Sequence, residues 1–404
     1  MINNFDLKQL VEPLQNWFKS NARILPWREN PQGYYVWISE IMLQQTRVEA
    51  VKPYFDRFIK ELPEVKSLAE CPEDKLLKLW EGLGYYNRVR NLKIAANQIM
   101  EEYDGEIPAD YEKLLTLKGI GNYTAGAIAS IAYGKAVPAV DGNVLRVISR
   151  VTADDSDIMK QSVRNAMEMK LLELMNDHCA ETGAKTKEMG GSVELEPGIF
   201  NQALMELGAT VCVPNGAPHC EICPWGEICE ARKQNRIAEL PVKTKAKARR
   251  IEEKTVLIVK DGEKLALHKR PSKGLLAGLY ELPNTEGYLS ENQIIEYVKE
   301  KGYAPIRIQS VGEAKHIFSH VEWHMKGYVV FLQAKEYEDF ARTNGGEEIT
   351  SKELQENKCD KGAWIFVDIE ETKEMYAIPS AFVKYTEYLN LTIGKDAIRT
   401  GDRE

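Results

Sequence analysis

At 404 residues the chain is too long for one ordinary core and predicts two or three domains. Hydrophobic content of 44% and charged content of 28% describe a globular protein; no apolar run reaches the ~18 residues of a membrane helix, and the start MINNFDLKQL has neither region of a signal peptide, so the expectation is a cytoplasmic protein without membrane contact. A net charge of −8 excludes a polyelectrolyte that coats nucleic acid by bulk attraction, which leaves local patches and backbone amides as the means of any such binding.

From residue 5 to about 231 apolar residues recur at spacings of three and four, as in DKLLKLWEGLGYYNRVRNLKIAANQIM from Asp74 and QSVRNAMEMKLLELM from Gln161. Residues 1–231 therefore read as an all-α domain. Within it, LKGIG from Leu117 forms a Gly-x-Gly hairpin, Gly119 and Gly121, that opens into a helix of small residues. Backbone N–H groups at such a helix start suit one phosphate of a nucleic-acid backbone, although glycines mark any tight turn equally well. Asp141 follows in an Asp-Gly-Asn turn, where it has the residue type of an N-cap before VLRVISRV. Residues 178–198, with glycine, charge and no apolar period, read as a surface loop. Residues 232–252 are basic and contain proline, the composition of an interdomain linker. Their cations Lys243, Lys245, Lys247, Arg249 and Arg250 suit a solvated linker or a phosphate contact equally.

Beyond the linker the period changes to two. TVLIVKDGEKLALHKR from Thr255 is a strand, an Asp-Gly turn and a strand, SENQIIEYVKEKGY is helical, and RIQSVGEAKHIFSH and HMKGYVVFLQA are further strand candidates. Residues 253–392 form an α+β domain, with 393–404 a polar, frayed tail.

Four of the seven cysteines, Cys212, Cys220, Cys223 and Cys229, fall within eighteen residues. Disulfides are not expected in a cytosolic protein, so the set points to one metal centre. Zinc accepts four sulfurs, but a single compact loop fits a [4Fe-4S] cluster at least as well. His219, beside Cys220, is a further candidate ligand. The scattered Cys71, Cys179 and Cys359 read as idle or buried thiols.

Taken together, LKGIG, the Asp-Gly-Asn turn and the cysteines that close the helical domain resemble the endonuclease III superfamily of DNA glycosylases. Within it the chain is similar to the MutY-type adenine DNA glycosylases, through SEIMLQQTRV from Ser39, EGLGYYNRVRNL from Glu81, GNYTAGAI from Gly121, VDGNVLRV from Val140, FNQALMELGATVC from Phe200, and FSH from Phe318. The resemblance spans nearly the whole chain. It implies a multidomain protein: an all-α helix-hairpin-helix glycosylase domain with a [4Fe-4S] loop, followed by an α+β Nudix (MutT-like) domain. Its implied partner is double-stranded DNA containing A opposite 8-oxoguanine or G, bound by a monomer. One departure is the first cysteine spacing, seven intervening residues where the family usually has six.

Removing adenine requires an acid that protonates the base and an anion that faces the developing oxocarbenium, the division of labour of two carboxylates in glycoside hydrolysis. Glu40 is the candidate acid. Its helical neighbours Val36, Trp37, Leu43 and Gln44 are mostly apolar, a setting that raises a carboxyl pKa. The resemblance makes Asp141 the counterion or transient nucleophile, with Tyr123 and Asn143 assisting around the sugar and the water. Tyr123 stands where strand-cleaving members carry a Schiff-base lysine, which implies a monofunctional glycosylase. The rival reading, an endonuclease III-like glycosylase/AP lyase, needs a lysine there. Lys118 precedes the hairpin and reads as a phosphate contact or a solvated residue.

An enzyme acting on a stacked base must extrude it and fill the gap. The resemblance assigns the filling to Gln45 and Tyr85, and the base pocket to Trp27, Arg28, Leu43 and Val48. Ordinary core packing accounts equally for Trp27, Leu43 and Val48. The stretch after Gly287 lacks the glutamate run with which a Nudix helix holds magnesium, so recognition rather than pyrophosphohydrolysis is expected of the second domain. Phe318, Ser319 and His320 are the implied 8-oxoguanine readers; a polar turn between strands is their plain alternative.

Overall fold

A computed structural model describes residues 5–184, 194–244, 248–333 and 363–391, of which 179–184 are described by backbone alone. Lys245, Lys247, Cys359 and the tail from 393 lie outside the described residues, as does the side chain of Cys179. Contacts along the chain divide it into two units, Met1–Cys71 with Arg90–Ala246, and Pro72–Val89 with Lys247–Glu404.

The first unit is all-α. Its elements are α1 (Val11–Asn21), α2 (Pro26–Glu29), α3 (Gly33–Leu43), α4 (Val48–Glu61) and α5 (Val65–Glu70), then most of α7 (Asn87–Glu102), α8 (Tyr111–Thr116), α9 (Asn122–Ile131), α10 (Gly142–Val151), α11 (Gln161–Ala184), α12 (Pro197–Thr210) and α13 (Glu230–Lys233); α6 (Glu73–Leu79) belongs to the second unit. Spacings of three and four put Leu10, Leu14 and Phe18 of the N-terminal helical run, Val144, Val147, Ile148 and Val151 of α10, and Phe200, Ala203, Leu204 and Leu207 of α12 into one core. Another helix, α3, is buried almost all round and packs on α9, a helix rich in small residues whose Gly126 lets the Pro138 carbonyl approach to where a Cβ would stand. Glu40, 6% exposed, therefore lies on a helix buried along most of its length rather than on an amphipathic edge.

The loop expected over 178–198 needs correction at both ends, since α11 runs on through Ala184 and α12 starts at Pro197; residues 185–193 lie outside the described residues. Ala180, Glu181 and Ala184 are strong helix formers that need no buried face, and the Pro-Gly pair that suggests a break supplies a proline at the first helical position, where its missing N–H costs nothing. The basic stretch is also structured in part. Leu240 is buried beside Ala153 and Ala231, its carbonyl accepts from Arg150 Nε at 2.8 Å, and the first strand of the sheet begins at Arg250.

In the second unit, strands β1 (Arg250–Asp261), β2 (Lys264–Lys269), β3 (Tyr280–Glu281), β4 (Asn284–Glu286), β5 (Pro305–Ile317), β6 (Val321–Leu332) and β7 (Trp364–Asp368) form one sheet. Its order is β3-β2-β1-β6-β5, with β4 on β1 and β7 on β2, and β1 runs parallel to β6. Period two sorts the side chains: Val256 and Ile258 of β1 join one core with Trp323 and Met325, while Leu257 and Val259 face the other, where α14 (Glu291–Glu300) adds Ile294 and Val298. Both faces are covered, which is why the first strand reads as an unbroken apolar run.

Candidate active site and cysteine cavity

Three helices of the first unit bring together the acid, the phenol and the second carboxylate. Glu40 comes from the buried middle of α3, Tyr123 from the first turn of α9, and Asp141 from the start of α10. The Tyr123 hydroxyl donates a short hydrogen bond to Glu40 Oε2 and lies 3.2 Å from Met205 Sδ. Burial raises the Glu40 carboxyl to about 7; the Asp141 charge adds to the rise, while the Tyr123 hydrogen bond and the Arg28 charge oppose it. Burial also raises the Tyr123 phenol well above its ordinary value, with the Glu40 and Asp141 charges adding to it, so the hydroxyl stays a donor.

Asp141 does cap its helix. Its Oδ1 accepts the N–H groups of Asn143 and Val144, each at 2.8 Å, and its Oδ2 accepts Asn143 Nδ2 at 2.6 Å. Burial nonetheless holds Asp141 above the usual aspartate range, against the pull of those hydrogen bonds and of Arg146. Asn143 is in turn fixed from behind, because Arg146 donates to Asn143 Oδ1 at 2.8 Å and to the Gly208 carbonyl at 2.8 Å. Gly208 allows this approach. A Cβ there would sit 2.6 Å from the Asn143 Cβ.

The hairpin between α8 and α9 requires glycine at its first position on two counts: Gly119 has φ +81°, and a Cβ there would lie 2.7 Å from Asn91 Cβ. Gly121 caps α9 without a side chain, so no cap hydrogen bond covers the first amides of that helix. Lys118 is exposed and its backbone N–H goes to Gln98 Oε1 at 2.8 Å.

Trp27 is buried, edge-on to Phe55, while Leu43 and Val48 are half-buried. Arg28 is committed to protein partners, donating to Glu206 Oε2 at 2.9 Å, Gln202 Oε1 at 3.1 Å and the Arg23 carbonyl at 3.1 Å. Gln45 is exposed with φ +58°. Sequence reasoning passed over Arg146, Met205 and Glu206, although all three stand in the quoted segments VDGNVLRV and FNQALMELGATVC. A buried cation three residues after a capping Asp-Gly-Asn turn and a buried acid in an apolar helix were the available signals.

In the second unit Tyr85 is exposed, with φ +49°, and its hydroxyl lies 3.0 Å from Ser319 Oγ. Phe318, Ser319 and His320 form the turn between β5 and β6. Phe318 packs against His316 and Trp323 with ring centroids 4.6 and 4.9 Å away, whereas Ser319 and His320 are exposed. Arg249 of the basic patch donates to the Phe318 carbonyl at 3.1 Å, and Arg250 pairs with Glu252.

Cys212, Cys220, Cys223 and Cys229 line one cavity, together with His219, Arg150 and Arg232. The additional residue between Cys212 and Cys220 is absorbed in a loop that contains Gly216 at φ +79° and closes where His219 N–H meets the Val211 carbonyl at 3.0 Å, so both thiols still face the cavity. Trp225 anchors the cysteine loop to the core through Nε1 and the Leu10 carbonyl at 3.0 Å. Among the described residues no group of three or more His, Cys, Asp or Glu is gathered for a single metal ion. Four cysteines around one cavity are a donor set that suits an iron-sulfur cluster or a tetrahedral zinc ion. Burial pushes the Cys223 thiol up to about 12 and raises the Cys220 and Cys229 thiols as well.

Residues 38–172 match the HhH-GPD superfamily of base excision DNA repair proteins, and residues 255–388 match the NUDIX domain. An adenine DNA glycosylase of Mus musculus is 33% identical over 385 residues, spanning 81% of this chain and 71% of the relative. Another, from Buchnera aphidicola subsp. Schizaphis graminum, is 33% identical over 324 residues, spanning 78% of this chain and 86% of the relative. Among solved structures, a thermostable thymine-DNA glycosylase is 26% identical, with a TM-score of 0.46 over 56% of this chain and 96% of that one.

Proposed function

The chain belongs to the adenine DNA glycosylase family, and from that premise we propose that it excises adenine opposite 8-oxoguanine or guanine in double-stranded DNA, acting as a monofunctional enzyme and as a monomer. The observation that carries the reading is the pairing of a buried carboxyl group, poised near neutrality, with a half-buried one in one site. Glu40 delivers its proton to the departing base. Tyr123 holds that carboxyl in place by donating to one oxygen, which leaves the other for the substrate. Asp141, fixed by two backbone amides and Asn143, faces the oxocarbenium that develops as the glycosidic bond breaks, and water completes the hydrolysis. No amine stands at position 123, so no Schiff base forms there and the product is an intact abasic strand.

DNA is held by the uncovered amides of the α9 start, with Lys118 beside them, and the extruded adenine is replaced in the stack by Gln45 and Tyr85. Trp27, Leu43 and Val48 line the base pocket, and Arg28 reaches it as an electrostatic neighbour of Glu40. Ser319 and His320 read the 8-oxoguanine edge from the β5–β6 turn, with Phe318 as the apolar support beneath them. Replacing Ser319 and His320 together by Ala is expected to weaken selection of the 8-oxoguanine pair by roughly one to two orders of magnitude, since lost base-edge contacts are worth ~1–3 kcal/mol each. Single-turnover excision at one fixed salt concentration tests this. An equal loss on the A:G duplex would reduce the turn to a general DNA contact.

The four cysteines of the cavity hold a [4Fe-4S] cluster, which when bound supplies a redox-capable, rigid tether for the loop that Trp225 joins to the core. Purified protein is expected to be brown with about four irons per chain, and Cys223→Ser to lose both colour and iron. Colourless protein carrying one zinc would contradict the assignment.

A further inference from the structure

We infer that Lys78 and Glu81 are positioning residues for reading the base opposite adenine, an inference that rests on the function proposed above. Residues 72–89 lie inside the stretch matched to the HhH-GPD superfamily, yet their contacts group them with the sheet unit. A polar clamp ties them to that unit. Glu81, 6% exposed, accepts the Ile378 N–H at 2.7 Å and the Lys78 ammonium at 2.8 Å. Lys78 Nζ also donates to the carbonyls of Thr372 and Tyr376, each at 3.1 Å. These carbonyls lie in and just beyond the last turn of the helix Ile369–Glu374, where helix carbonyls lack partners and a cation is favoured.

From this anchor the chain reverses through Gly82, Gly84 and Tyr85, with φ of +95°, +71° and +49°. Trp80 Nε1 donates to the Gly84 carbonyl at 3.1 Å, and the Arg88 guanidinium lies over the Tyr85 ring at 5.4 Å. The far end of the turn is the contact between the Tyr85 hydroxyl and Ser319 Oγ. Glu81 thus fixes the turn at its base and Ser319 at its tip, while Trp80 and Arg88 close it from within, Arg88 donating to the Leu83 and Gly84 carbonyls at 3.2 and 3.1 Å. A left-handed tyrosine persists only where its surroundings over-determine it, and the half-exposed ring of Tyr85 is held by the Arg88 guanidinium on its face and the Ser319 hydroxyl at its tip. Releasing the base lets the turn relax and separates Tyr85 from Ser319. Discrimination between 8-oxoguanine and guanine falls, while the Glu40 chemistry belongs to the other unit.

The test compares wild type, Glu81→Ala, Lys78→Met, Ser319→Ala and the Glu81→Ala/Ser319→Ala pair, by single-turnover excision and by binding, on duplexes with A opposite 8-oxoguanine and A opposite G. Glu81→Ala and Lys78→Met are each expected to lower the 8-oxoguanine preference about tenfold, the scale of one lost base-edge contact. The double variant is expected to lose no more than the larger single loss, because both residues act through one turn. Glu81→Gln, which retains an acceptor for the Ile378 N–H, is expected to restore most of the preference. A wild-type preference in Glu81→Ala, or additive losses in the pair, would overturn the inference. Should Glu81→Ala fail to fold, Lys78→Met, which keeps the apolar stem, decides with the same outcomes. Absence of excision by wild type would instead overturn the parent reading, and the binding ratios are read independently of it.

Discussion

Glu40→Gln is expected to abolish adenine excision, with a loss of ~10²–10⁴-fold or more in the single-turnover rate, because the amide keeps the shape and the Tyr123 contact but has no proton to deliver. DNA binding should change little. The wild-type rate should fall as pH rises through about 7, where the buried carboxyl gives up its proton. A stability consequence follows from the same raised pKa. Between the ordinary glutamate pKa near ~4.3 and the folded value of about 7, the native state binds more protons than the unfolded one, so stability declines as pH rises through that window. At about pH 8 Glu40→Gln should therefore be the more stable protein, by roughly 3–4 kcal/mol at most, and the advantage should vanish near about pH 4. Equal melting temperatures across that range, or excision by the variant at close to the wild-type rate, would remove Glu40 from its role.

Asp141→Asn is the second large effect, expected to cost roughly 10²–10³-fold in excision through loss of the charge opposite the sugar cation. Asparagine caps a helix as well as aspartate, and burial already disfavours the Asp141 charge in the folded state. The fold should thus survive, with the backbone cap kept, and the kinetic loss reports the missing charge together with the lost Asn143 Nδ2 contact, since an amide NH2 at 141 cannot accept from that donor. A variant that excised adenine normally would leave Asp141 only a cap. A variant that unfolded would show the charge to be structural.

Both expectations start from residues that stand out in the sequence, and the reason is local. Glu40 is an acid among Val36, Trp37 and Leu43, and Asp141 opens an amphipathic run behind a Gly-Asn pair; each anomaly is visible within four residues. The sheet unit was legible for a similar reason, since period-two alternation and the Asp-Gly turn at 261–262 fix the β1–β2 hairpin. What the sequence hides is long-range. Tyr123 meets Glu40 across 83 positions, and Glu81 meets Ile378 across 297. Arg146 is spent on Asn143 and on carbonyls of α12 and Cys212, where a periodicity argument sees only one polar residue on a helix. The helical end of α11 escaped because helix propensity without an apolar period in the sequence reads as a loop. Segment 72–89 joins the sheet unit through single polar clamps, and hydrogen bonds of that kind leave no periodic trace.

The most direct measurement is single-turnover incubation of wild-type protein with duplexes bearing A opposite 8-oxoguanine, A opposite G and A opposite T, followed by separate assays for free adenine and for strand breaks before and after alkali. The proposed function predicts adenine release that is fastest opposite 8-oxoguanine, slower opposite G and negligible opposite T, and a strand that breaks only on alkali treatment. Strand cleavage without alkali together with a borohydride-trapped protein–DNA adduct would contradict it, as would equal release from all three duplexes.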